Sequence, residues 1–273
     1  MADAWRSYDS AAATHGRLAA PSIFEKPATD LVAHTGLPDA GKILDVGTGT
    51  GIAARVALKL AATGIVVVGV DPSLGMLQVA RGEGGIDLAA GALPNLPFPA
   101  ATFERVLANF VINHVACYQT ALLDMARVLR PGGKLGVTTW GPLENEFRQY
   151  WQTVAEQFVP KDALRAAVEK ALPWEDWFQD PAHLRDAFRE AGLADAEIHR
   201  EMYTVRMPIA DFLAIRETSM QARFMRQALD ARQWDEFQRT VSAGFRRKFN
   251  DPIEHARDVH ITVGAKPSIS PHT

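Results

Sequence analysis

Cysteine is almost absent from the sequence, and this shortage limits how the fold can be stabilised. Among the 273 residues only Cys117 is a cysteine, so no disulfide can form within the chain, which is typical of proteins in a reducing compartment. The N-terminal region lacks an apolar stretch of the signal-peptide type. The longest apolar run, residues 65–70 with one glycine, is far too short to cross a bilayer. We therefore expect a cytoplasmic protein without a membrane span.

An excess of positive charge is absent as well. Lys and Arg together number 29 against 32 Asp and Glu, which gives a formal net charge of -3. Proteins that bind nucleic acids usually carry a basic surface, so this balance predicts no nucleic-acid partner. Hydrophobic residues make up 47% of the chain, which is enough for a well-packed globular core. The composition leaves the oligomeric state open.

Short β-branched runs alternate with helix-like stretches in the first half of the chain. The predicted strands are 43–46, 65–70, 105–108 and 134–140. The predicted helices between them are 52–60, 73–81 and 119–129. Strands that alternate with helices at this spacing indicate βαβ units and a parallel sheet. The expected fold class is therefore α/β, a Rossmann-like, doubly wound and mostly parallel sheet with helical cover insertions.

The pattern after residue 140 changes to amphipathic helices that are rich in aromatic residues. A helix and a strand of core type interrupt them at 181–207, and a last core strand is expected at 256–267. The other predicted units are an N-terminal arm or lid at 1–40, a ligand-binding core at 41–140, helical lid insertions at 141–180 and 208–255, and a mobile tail at 268–273. We expect the arm and the insertions to pack together as a cover over the ligand-binding end of the sheet.

The strongest motif is a glycine-rich loop that follows the first predicted strand. Its sequence is Asp45-Val46-Gly47-Thr48-Gly49-Thr50-Gly51. Glycines at such a turn let the backbone approach a ligand closely. An acidic residue, Asp71, ends the next strand, where a βαβ unit places its carboxylate opposite the loop to accept ribose hydroxyls. Loop and carboxylate together predict a site for a ligand that contains a nucleoside.

The spacing of the glycines distinguishes between the possible ligands. Dinucleotide sites use G-x-G-x-x-G so that a pyrophosphate can lie at the helix N-terminus, whereas this loop has G-x-G-x-G. Asp45 would repel a pyrophosphate, but its carboxylate suits the ammonium group of a methionine moiety. Both features disfavour NAD and favour S-adenosylmethionine as the cofactor.

With this loop and Asp71 the chain resembles the class I S-adenosylmethionine-dependent methyltransferases. The branch that it resembles is the small-molecule branch, which includes ubiquinone- and menaquinone-biosynthesis enzymes, and the resemblance is strong over about residues 41–140. Three further segments carry it: Val70-Asp71-Pro72-Ser73 with Met76, Leu96-Pro97-Phe98, and Val128-Leu129-Arg130-Pro131-Gly132-Gly133. The resemblance implies methyl transfer from S-adenosylmethionine to a small organic molecule, by a methyltransferase that holds no metal.

The resemblance also assigns residues to the parts of the cofactor. The residues expected beside the methionine half and the sulfonium are Gly47, Thr48, Gly49, Asn109 and Phe110. The residues expected beside the ribose and the adenine are Asp71, Pro72 and Met76. Asp45 precedes this loop and Gly51 ends it, so both belong to the expected cofactor site.

One position departs from the family pattern. The family usually has an acidic residue after the glycine that precedes the Leu-Pro-Phe segment, where it holds the adenine amino group. Here Gly91 is followed by Ala92 and Leu93, so adenine recognition would fall to backbone groups at these two positions. A lost hydrogen bond is worth about 1 kcal/mol, which weakens cofactor binding without abolishing it.

Methyl transfer from a sulfonium is an in-line displacement, which needs a closely held acceptor and the exclusion of water. A phenol, alcohol or activated carbon acceptor also needs a base that removes a proton. His114 is the candidate base because it follows the strand predicted at 105–108, where ligands of open α/β sheets gather. Tyr8 would cap the site and Trp5 would line it. Each of the three residues has an alternative, purely structural role in a packed turn or in anchoring the arm.

The distribution of aromatic residues bears on the acceptor. Only four lie between residues 41 and 139, namely Phe98, Phe103, Phe110 and Tyr118. The remainder lie in the arm, the insertions and the later strands. A cover of this kind suits an apolar or planar acceptor, although the same rings would also build the core of the cover.

Two other functions fit parts of the sequence. A catalytically impaired S-adenosylmethionine-binding protein is one, because Ala92 departs from the family and a fold does not determine a function. A nucleic-acid or protein methyltransferase is the other. Enzymes that modify bases commonly carry a Pro-Pro-Tyr type segment after the fourth strand, and residues 109–112 of this chain read Asn-Phe-Val-Ile.

A group of potential metal ligands occurs near the last predicted strand. It consists of Glu254, His255, Asp258 and His260. Their spacing is not the compact spacing of a metal site. We therefore expect a solvated surface there and no metal.

Overall fold

Seven strands form one sheet in the computed structural model, which describes residues 7–142 and 145–268. The strands are β1 (Lys42–Val46), β2 (Val66–Asp71), β3 (Asp87–Ala90), β4 (Phe103–Asn109), β5 (Leu129–Trp140), β6 (Ala194–Met207) and β7 (Ile253–Ala265). Their order across the sheet is β3-β2-β1-β4-β5-β7-β6. β1 to β5 pair in parallel, and β7 lies antiparallel between β5 and β6. The expected α/β fold with a mostly parallel sheet is confirmed.

The strand order determines where a ligand can bind. From β1 the chain first adds β2 and β3 on one side and then returns to add β4 and β5 on the other. At such a switch point the loops that follow neighbouring strands diverge and leave a crevice at the carboxyl ends of the strands. The crevice therefore lies between the loops after β1 and β4.

The helices agree closely with the periodicity of the sequence. They are α1 (Ala12–Thr14), α2 (Glu25–Thr35), α3 (Ile52–Leu60), α4 (Leu74–Glu83), α5 (Tyr118–Val128), α6 (Glu146–Ala155), α7 (Lys161–Ala171), α8 (Pro181–Glu190), α9 (Ile209–Glu217), α10 (Met220–Ala228) and α11 (Ala231–Lys248). Side chains that accept amide hydrogen bonds cap several of them, as Asn145 does for α6 and Asp230 does for α11. A π-helical segment, His15–Phe24, joins α1 to α2.

The N-terminal region contributes to the core as well as to the cover. α2 packs against α3 and against β4, β5 and β7, and its residues Leu31 and Val32 are fully buried. α2 and α3 thus cover one face of the sheet, while α5 and α8 cover the other. The division of the chain into arm, core and insertions stays a prediction, and the tail predicted at 268–273 lies outside the described residues except for Ser268.

A separate aromatic core holds the cover together. It combines residues of α6, α9, α10 and α11 with the adjoining ends of β6 and β7 and with Ile23 of the π-helical segment. Trp151 and Phe237 meet edge-on at its centre, with ring centroids 5.3 Å apart. This packing fixes the helices over the carboxyl end of the sheet.

The expectation of a solvated surface near the last strand is wrong. His255, Asp258 and His260 are all less than 9% exposed, and only Glu254 faces solvent. The physical reason is that β7 is an inner strand, flanked by β5 and β6 and covered on both faces. Asp258 is neutralised there by Arg200, whose Nη2 lies 2.6 Å from Oδ2.

Within residues 7–142 and 145–268, no group of three or more His, Cys, Asp or Glu side chains is arranged to hold a metal ion. In the same ranges, no helix combines the length and the apolar character that a bilayer-spanning segment requires.

Candidate active site

The glycine-rich loop makes a tight turn between β1 and α3. Gly47, Gly49 and Gly51 have φ values of +62°, +54° and +87°, which residues other than glycine rarely adopt. A Cβ on Gly47 would lie 2.6 Å from Cγ2 of Val111, so the loop after β1 packs directly on the loop after β4. The Thr48 amide donates to the carbonyl of Val70 at 3.0 Å. The turn is therefore held across the carboxyl ends of three neighbouring strands.

Asp45 is buried beneath this loop, and only one of its two carboxylate oxygens accepts hydrogen bonds from the described residues. Its Oδ2 accepts hydrogen bonds from Thr48 Oγ1 at 2.7 Å and from the Ala54 amide at 3.0 Å. Its Oδ1 is inaccessible to solvent and has no hydrogen-bond partner among the described residues. Burial raises the pKa of Asp45 to about 7, against the opposing effect of these two hydrogen bonds. A cationic group beside Oδ1 would satisfy this oxygen, so the site fits the ammonium group of a methionine moiety.

Asp71 ends β2 and faces the loop, as expected for a ribose ligand. Its Oδ2 accepts from the Gly49 amide at 2.9 Å and its Oδ1 from the Ser73 amide at 2.8 Å. The side chain is 8% exposed, and burial raises its pKa although both hydrogen bonds act in the opposite direction. Each carboxylate oxygen has a second lone pair. Asp71 thus retains the capacity to accept hydroxyl groups of a sugar.

The residues expected around the adenine lie on both sides of Asp71. Met76 is buried in the first turn of α4, and Pro72 is exposed. The Gly91 amide donates to the Asp71 carbonyl at 3.2 Å, which brings the segment with Ala92 and Leu93 next to β2. Ala92 is exposed and Leu93 is partly buried. This side of the crevice therefore offers backbone groups at the position where the family pattern has a carboxylate.

Asn109 and Phe110 lie at the end of β4, where the backbone is strained. Phe110 has a φ of +58°, which is an unfavourable conformation for a bulky side chain. Thr138 of β5 holds this conformation, because its Oγ1 accepts from the Phe110 amide at 2.8 Å and donates to Asn109 Oδ1 at 2.8 Å. The Phe110 ring stacks on Trp140, with centroids 4.0 Å apart. These two stacked rings, which we call the aromatic wall, lie beside the turn after β4.

The two candidate catalytic residues are in contact. His114 ends a short 3-10 turn after β4, Ile112–His114, and its ring meets the ring of Tyr8 edge-on with centroids 5.6 Å apart. Tyr8 also packs against Arg223, whose Cζ lies 4.1 Å from the ring centroid. Burial raises the pKa of Tyr8 to about 12. Trp5, expected to line the same site, lies outside the described residues.

Sequence reasoning missed the residues that fix the arm. Asp9 Oδ1 accepts from Ser73 Oγ at 2.6 Å and from the Gly75 amide at 2.9 Å, which anchors the arm to the N-terminus of α4. No local pattern points to Asp9 or to Arg223. Trp140 was within reach of sequence reasoning, because it ends a predicted strand at the same edge of the sheet as Asn109.

A cavity of about 640 Å³ lies apart from the crevice. Ser10 of the arm lines it, and its other lining residues, which include Arg223, belong to α9, α10 and α11. None of the loop residues that follow β1 or β4 lines it. The crevice, and not this cavity, contains the residue types that the predicted chemistry requires.

Comparison with known proteins finds a family that matches the part of the chain described above. The family model described as "Methyltransferase domain" matches residues 44–137, a range that contains the glycine-rich loop, Asp71 and the turn after β4. A demethylmenaquinone methyltransferase of Symbiobacterium thermophilum is 31% identical over 192 residues, which covers 64% of this chain and 76% of that protein.

Another relative matches over a smaller part of its length. The biotin biosynthesis bifunctional protein of Cellvibrio japonicus is 33% identical over 141 residues, which covers 49% of this chain. The match spans 28% of that protein, well under two thirds of the relative's length.

A solved structure shares the fold. Haemonchus contortus phosphoethanolamine N-methyltransferase 2, in complex with S-adenosyl-L-methionine, aligns with a TM-score of 0.53 at 19% identity. The alignment covers 89% of this chain and 53% of that one. At this identity the similarity concerns the fold alone.

Proposed function

Because this chain belongs to the class I S-adenosylmethionine-dependent methyltransferases, we propose that it methylates a small organic acceptor at the crevice between β1 and β4. The observation that carries the proposal is Asp45, whose Oδ1 is buried and unpaired among the described residues at the base of the glycine-rich loop. A buried carboxylate with an unpaired oxygen is unfavourable in free energy unless a cation lies beside it. The proposed cation is the ammonium group of the cofactor.

The proposed cofactor site runs along the loop toward β2. When bound, S-adenosylmethionine supplies an electrophilic methyl group on a sulfonium. The residues proposed to hold its amino-acid half are Asp45, Gly47, Thr48, Gly49 and Gly51. The residues proposed to hold its nucleoside are Asp71, Pro72, Met76, Ala92 and Leu93. Asn109 and Phe110, which Thr138 holds in a fixed conformation, are proposed to border the place where the methyl group is transferred.

His114 and Tyr8 take different roles in the proposal. Tyr8 has its pKa raised to about 12, so its hydroxyl keeps the proton near neutral pH and can only donate it to a hydrogen bond or shield the site from water. His114 then acts as the base that accepts the acceptor's proton. The contact between the two rings would hold the imidazole in place during this step.

The acceptor proposed for this site is apolar or aromatic. The stacked rings of Phe110 and Trp140 lie beside the proposed transfer position, and Phe24 meets Phe110 edge-on with ring centroids 5.4 Å apart. Aromatic side chains favour contact with apolar and planar ligands. The Symbiobacterium relative is named after demethylmenaquinone, which is a quinone. This name supports a planar acceptor for this chain as well.

Titration calorimetry with S-adenosylhomocysteine tests the cofactor part of the proposal. We expect binding to the wild type and loss of at least about tenfold in affinity for Asp71→Ala. Asp162→Ala is the control, because this carboxylate lies on α7 with its side chain 87% exposed, and we expect it to bind like the wild type. No binding to the wild type at millimolar ligand would refute the proposal.

Turnover separates the proposal from a catalytically impaired binding protein. Labelled S-adenosylmethionine is incubated with the protein and a panel of phenols, quinols, amines and carboxylic acids, and transfer of the label is measured. Transfer to at least one of these classes supports the proposal. Tight cofactor binding without transfer to any class would favour the impaired binding protein.

A further inference from the structure

Three arginines and one glutamate come together under the cover, next to the proposed acceptor position. We call Arg148, Arg216, Arg257 and Glu175 the cationic cluster. Four separate elements contribute to it, because Arg148 lies on α6, Arg216 on α9, Arg257 on β7 and Glu175 in the turn after α7. The electrostatic influence of Arg148 and Glu175 reaches both other arginines. Side chains from four elements that converge on one point form a built site and not a surface patch.

The single carboxylate of the cluster does not neutralise its cations. Glu175 Oε1 lies 3.9 Å from Arg148 Nη2, which is too long for a hydrogen bond. Among the described residues, Asp176 is the other acidic group whose charge reaches Glu175, but it is exposed and accepts a hydrogen bond from Gln179. Within the described part of the chain the cluster therefore carries an excess of positive charge in a partly buried place, which is unfavourable unless an anion binds beside it.

Several polar atoms of the cluster are left without partners. The Nε atoms of Arg216 and Arg257 are inaccessible to solvent and have no hydrogen-bond partner among the described residues. Both nitrogens of His255, two residues before Arg257 on the same side of β7, are in the same state. Buried polar groups are paired in most proteins, and a ligand is one reason for an exception.

The protonation behaviour of the cluster agrees with this geometry. Burial, followed by the positive charge of Arg148, lowers the pKa of Arg257 to about 9. Burial and the two other arginines also lower the pKa of Arg216. Burial, followed by Arg257 and Arg148, lowers the pKa of His255 to about 4, so this ring adds no charge near neutral pH. An anion bound at the cluster would reduce the repulsion between the arginines, which contributes to these lowered pKa values.

The cluster is continuous with the aromatic wall of the candidate active site. The guanidinium carbon of Arg257 lies 5.2 Å from the ring centroid of Trp140, and Trp140 stacks on Phe110. On the other side, Trp174 donates from Nε1 to the carbonyl of Val115 at 2.9 Å, which ties the turn that bears Glu175 to the loop after β4. A ligand that packs beside the aromatic wall would therefore lie next to Arg257.

We propose that the cationic cluster binds an anionic group of the acceptor, a carboxylate or a phosphate, while the planar part of the acceptor packs beside the stacked rings of Phe110 and Trp140. The inference rests on the proposed function and names its substrate class. Guanidinium groups suit this role because their donors match the geometry of carboxylate and phosphate oxygens. Arg216 is also held in position, since its Nη2 donates to Gln221 at 2.9 Å and its guanidinium lies 4.5 Å from the Trp151 ring.

Matched probes test the charge requirement on the full chain. Titration calorimetry in saturating S-adenosylhomocysteine compares each acid with its neutral amide, namely benzoate with benzamide, cinnamate with cinnamamide, and hexanoate with hexanamide. Phenyl phosphate is the second anion. We expect the aromatic acids or phenyl phosphate to bind at least about tenfold more tightly than the amides, and the better of the two anions identifies the group. Hexanoate, which cannot stack, should bind more weakly than benzoate.

Variants assign the effect to the cluster. Arg257→Gln and Arg216→Gln, on different elements, should each weaken binding of the preferred anion by about tenfold or more while leaving the amides unchanged. Arg257→Lys should retain part of the affinity. Arg165→Gln is the matched control, because Arg165 is an exposed arginine of α7 that pairs with Asp162, and we expect it to behave like the wild type. Unchanged affinity for S-adenosylhomocysteine shows that each variant is folded.

The outcomes separate this inference from the proposed function. Binding of S-adenosylhomocysteine without any preference for anion over amide in the wild type would overturn the inference and leave the proposed function standing. An equal loss of anion binding in Arg165→Gln and Arg257→Gln would also overturn it, since general surface charge would then explain the preference. Failure to bind S-adenosylhomocysteine would refute the proposed function itself.

Discussion

The ring of Tyr8 meets the ring of His114 edge-on, with centroids 5.6 Å apart and planes inclined by 75°. The contact joins the N-terminal arm to the turn after β4, two segments that are far apart in the sequence. Burial raises the pKa of Tyr8 to about 12, so the hydroxyl keeps its proton near neutral pH. A tyrosine in this state supports a neighbouring base and cannot act as the base itself.

The first prediction concerns this division of roles. With any acceptor that loses a proton, His114→Asn should lower kcat/KM by about a hundredfold or more and remove its dependence on a group that titrates near neutral pH. Tyr8→Phe keeps the ring contact, so it should lower kcat/KM by only about tenfold and leave the pH profile in place. Both values come from initial rates between about pH 5.5 and about pH 8.5.

Tyr203→Phe is the control for the tyrosine variant. The Tyr203 hydroxyl donates to Asp30 at 2.8 Å, and Tyr203 lies on the edge strand β6, which β5 and β7 separate from β4, so the loss of this hydroxyl should affect stability and not the rate. If His114→Asn retained the wild-type pH profile, the histidine would be structural.

The second prediction separates two penalties at the glycine-rich loop. Gly47→Ala places a side chain at a φ of +62° and also brings its Cβ within 2.6 Å of Val111 Cγ2. Gly64→Ala has a φ of +94° with nothing within 4 Å, so it suffers only the backbone penalty of about 1 kcal/mol. We expect Gly64→Ala to bind S-adenosylhomocysteine normally and Gly47→Ala to lose the binding.

A double variant checks the cause of this loss. Val111→Ala removes the side chain that the new Cβ would strike, so Gly47→Ala with Val111→Ala should recover part of the affinity, measured by calorimetry. No recovery would mean that the left-handed backbone, and not the contact with Val111, makes Gly47 necessary.

The third prediction tests whether Thr138 supports the strained turn. Thr138→Val leaves the Phe110 amide and Asn109 Oδ1 without their common partner, which should lower the free energy of unfolding by about 1–3 kcal/mol. Thr262→Val is the control, because Thr262 is equally buried in the same sheet but its Oγ1 has no hydrogen-bond partner among the described residues. Denaturant unfolding should show Thr262→Val to be neutral or stabilising, and an equal cost for both variants would contradict the role of Thr138.

The sequence was sufficient for most of the parallel half of the sheet, because each element there follows from local patterns. The helix predicted at 52–60 has the observed bounds of α3, and the strand predicted at 105–108 lies within β4. β3 was missed, since Asp87–Ala90 contains no β-branched residue and forms the edge of the sheet. Such a strand owes its conformation to its pairing with β2 and not to its own residues.

The site was predictable to the same extent and for the same reason. Asp45 and Asp71 stand at the ends of strands that the pattern reveals, so their position at one crevice follows from the topology. Asp9 hydrogen-bonds to Ser73 over a separation of 64 residues, and the cationic cluster draws on four elements. Contacts of this range depend on how the cover folds over the sheet, which no local pattern encodes.

The fourth prediction uses the proton affinity of Asp45. Its pKa is raised from 3.8 to about 7 by burial, so the folded protein without ligand binds this proton more tightly than the unfolded chain does. The contribution of Asp45 to the free energy of unfolding is therefore fully present below about pH 4 and is lost as the pH rises through about 7. Asp45→Asn should remove this decline, which urea unfolding across the same pH range measures.

Binding of the cofactor should show the opposite trend, because an ammonium group beside Oδ1 favours the charged carboxylate. We expect the affinity for S-adenosylhomocysteine to rise by up to about tenfold per pH unit toward pH 7 and then to level off. Adenosine is the control ligand, since it has the same nucleoside without the amino-acid half, and its affinity should not follow the charge of Asp45. If adenosine and S-adenosylhomocysteine had the same pH dependence, Asp45 would not be the partner of the ammonium group. The unpaired oxygen would then have to be satisfied in another way, and the assignment of the methionine half to this loop would fail with it.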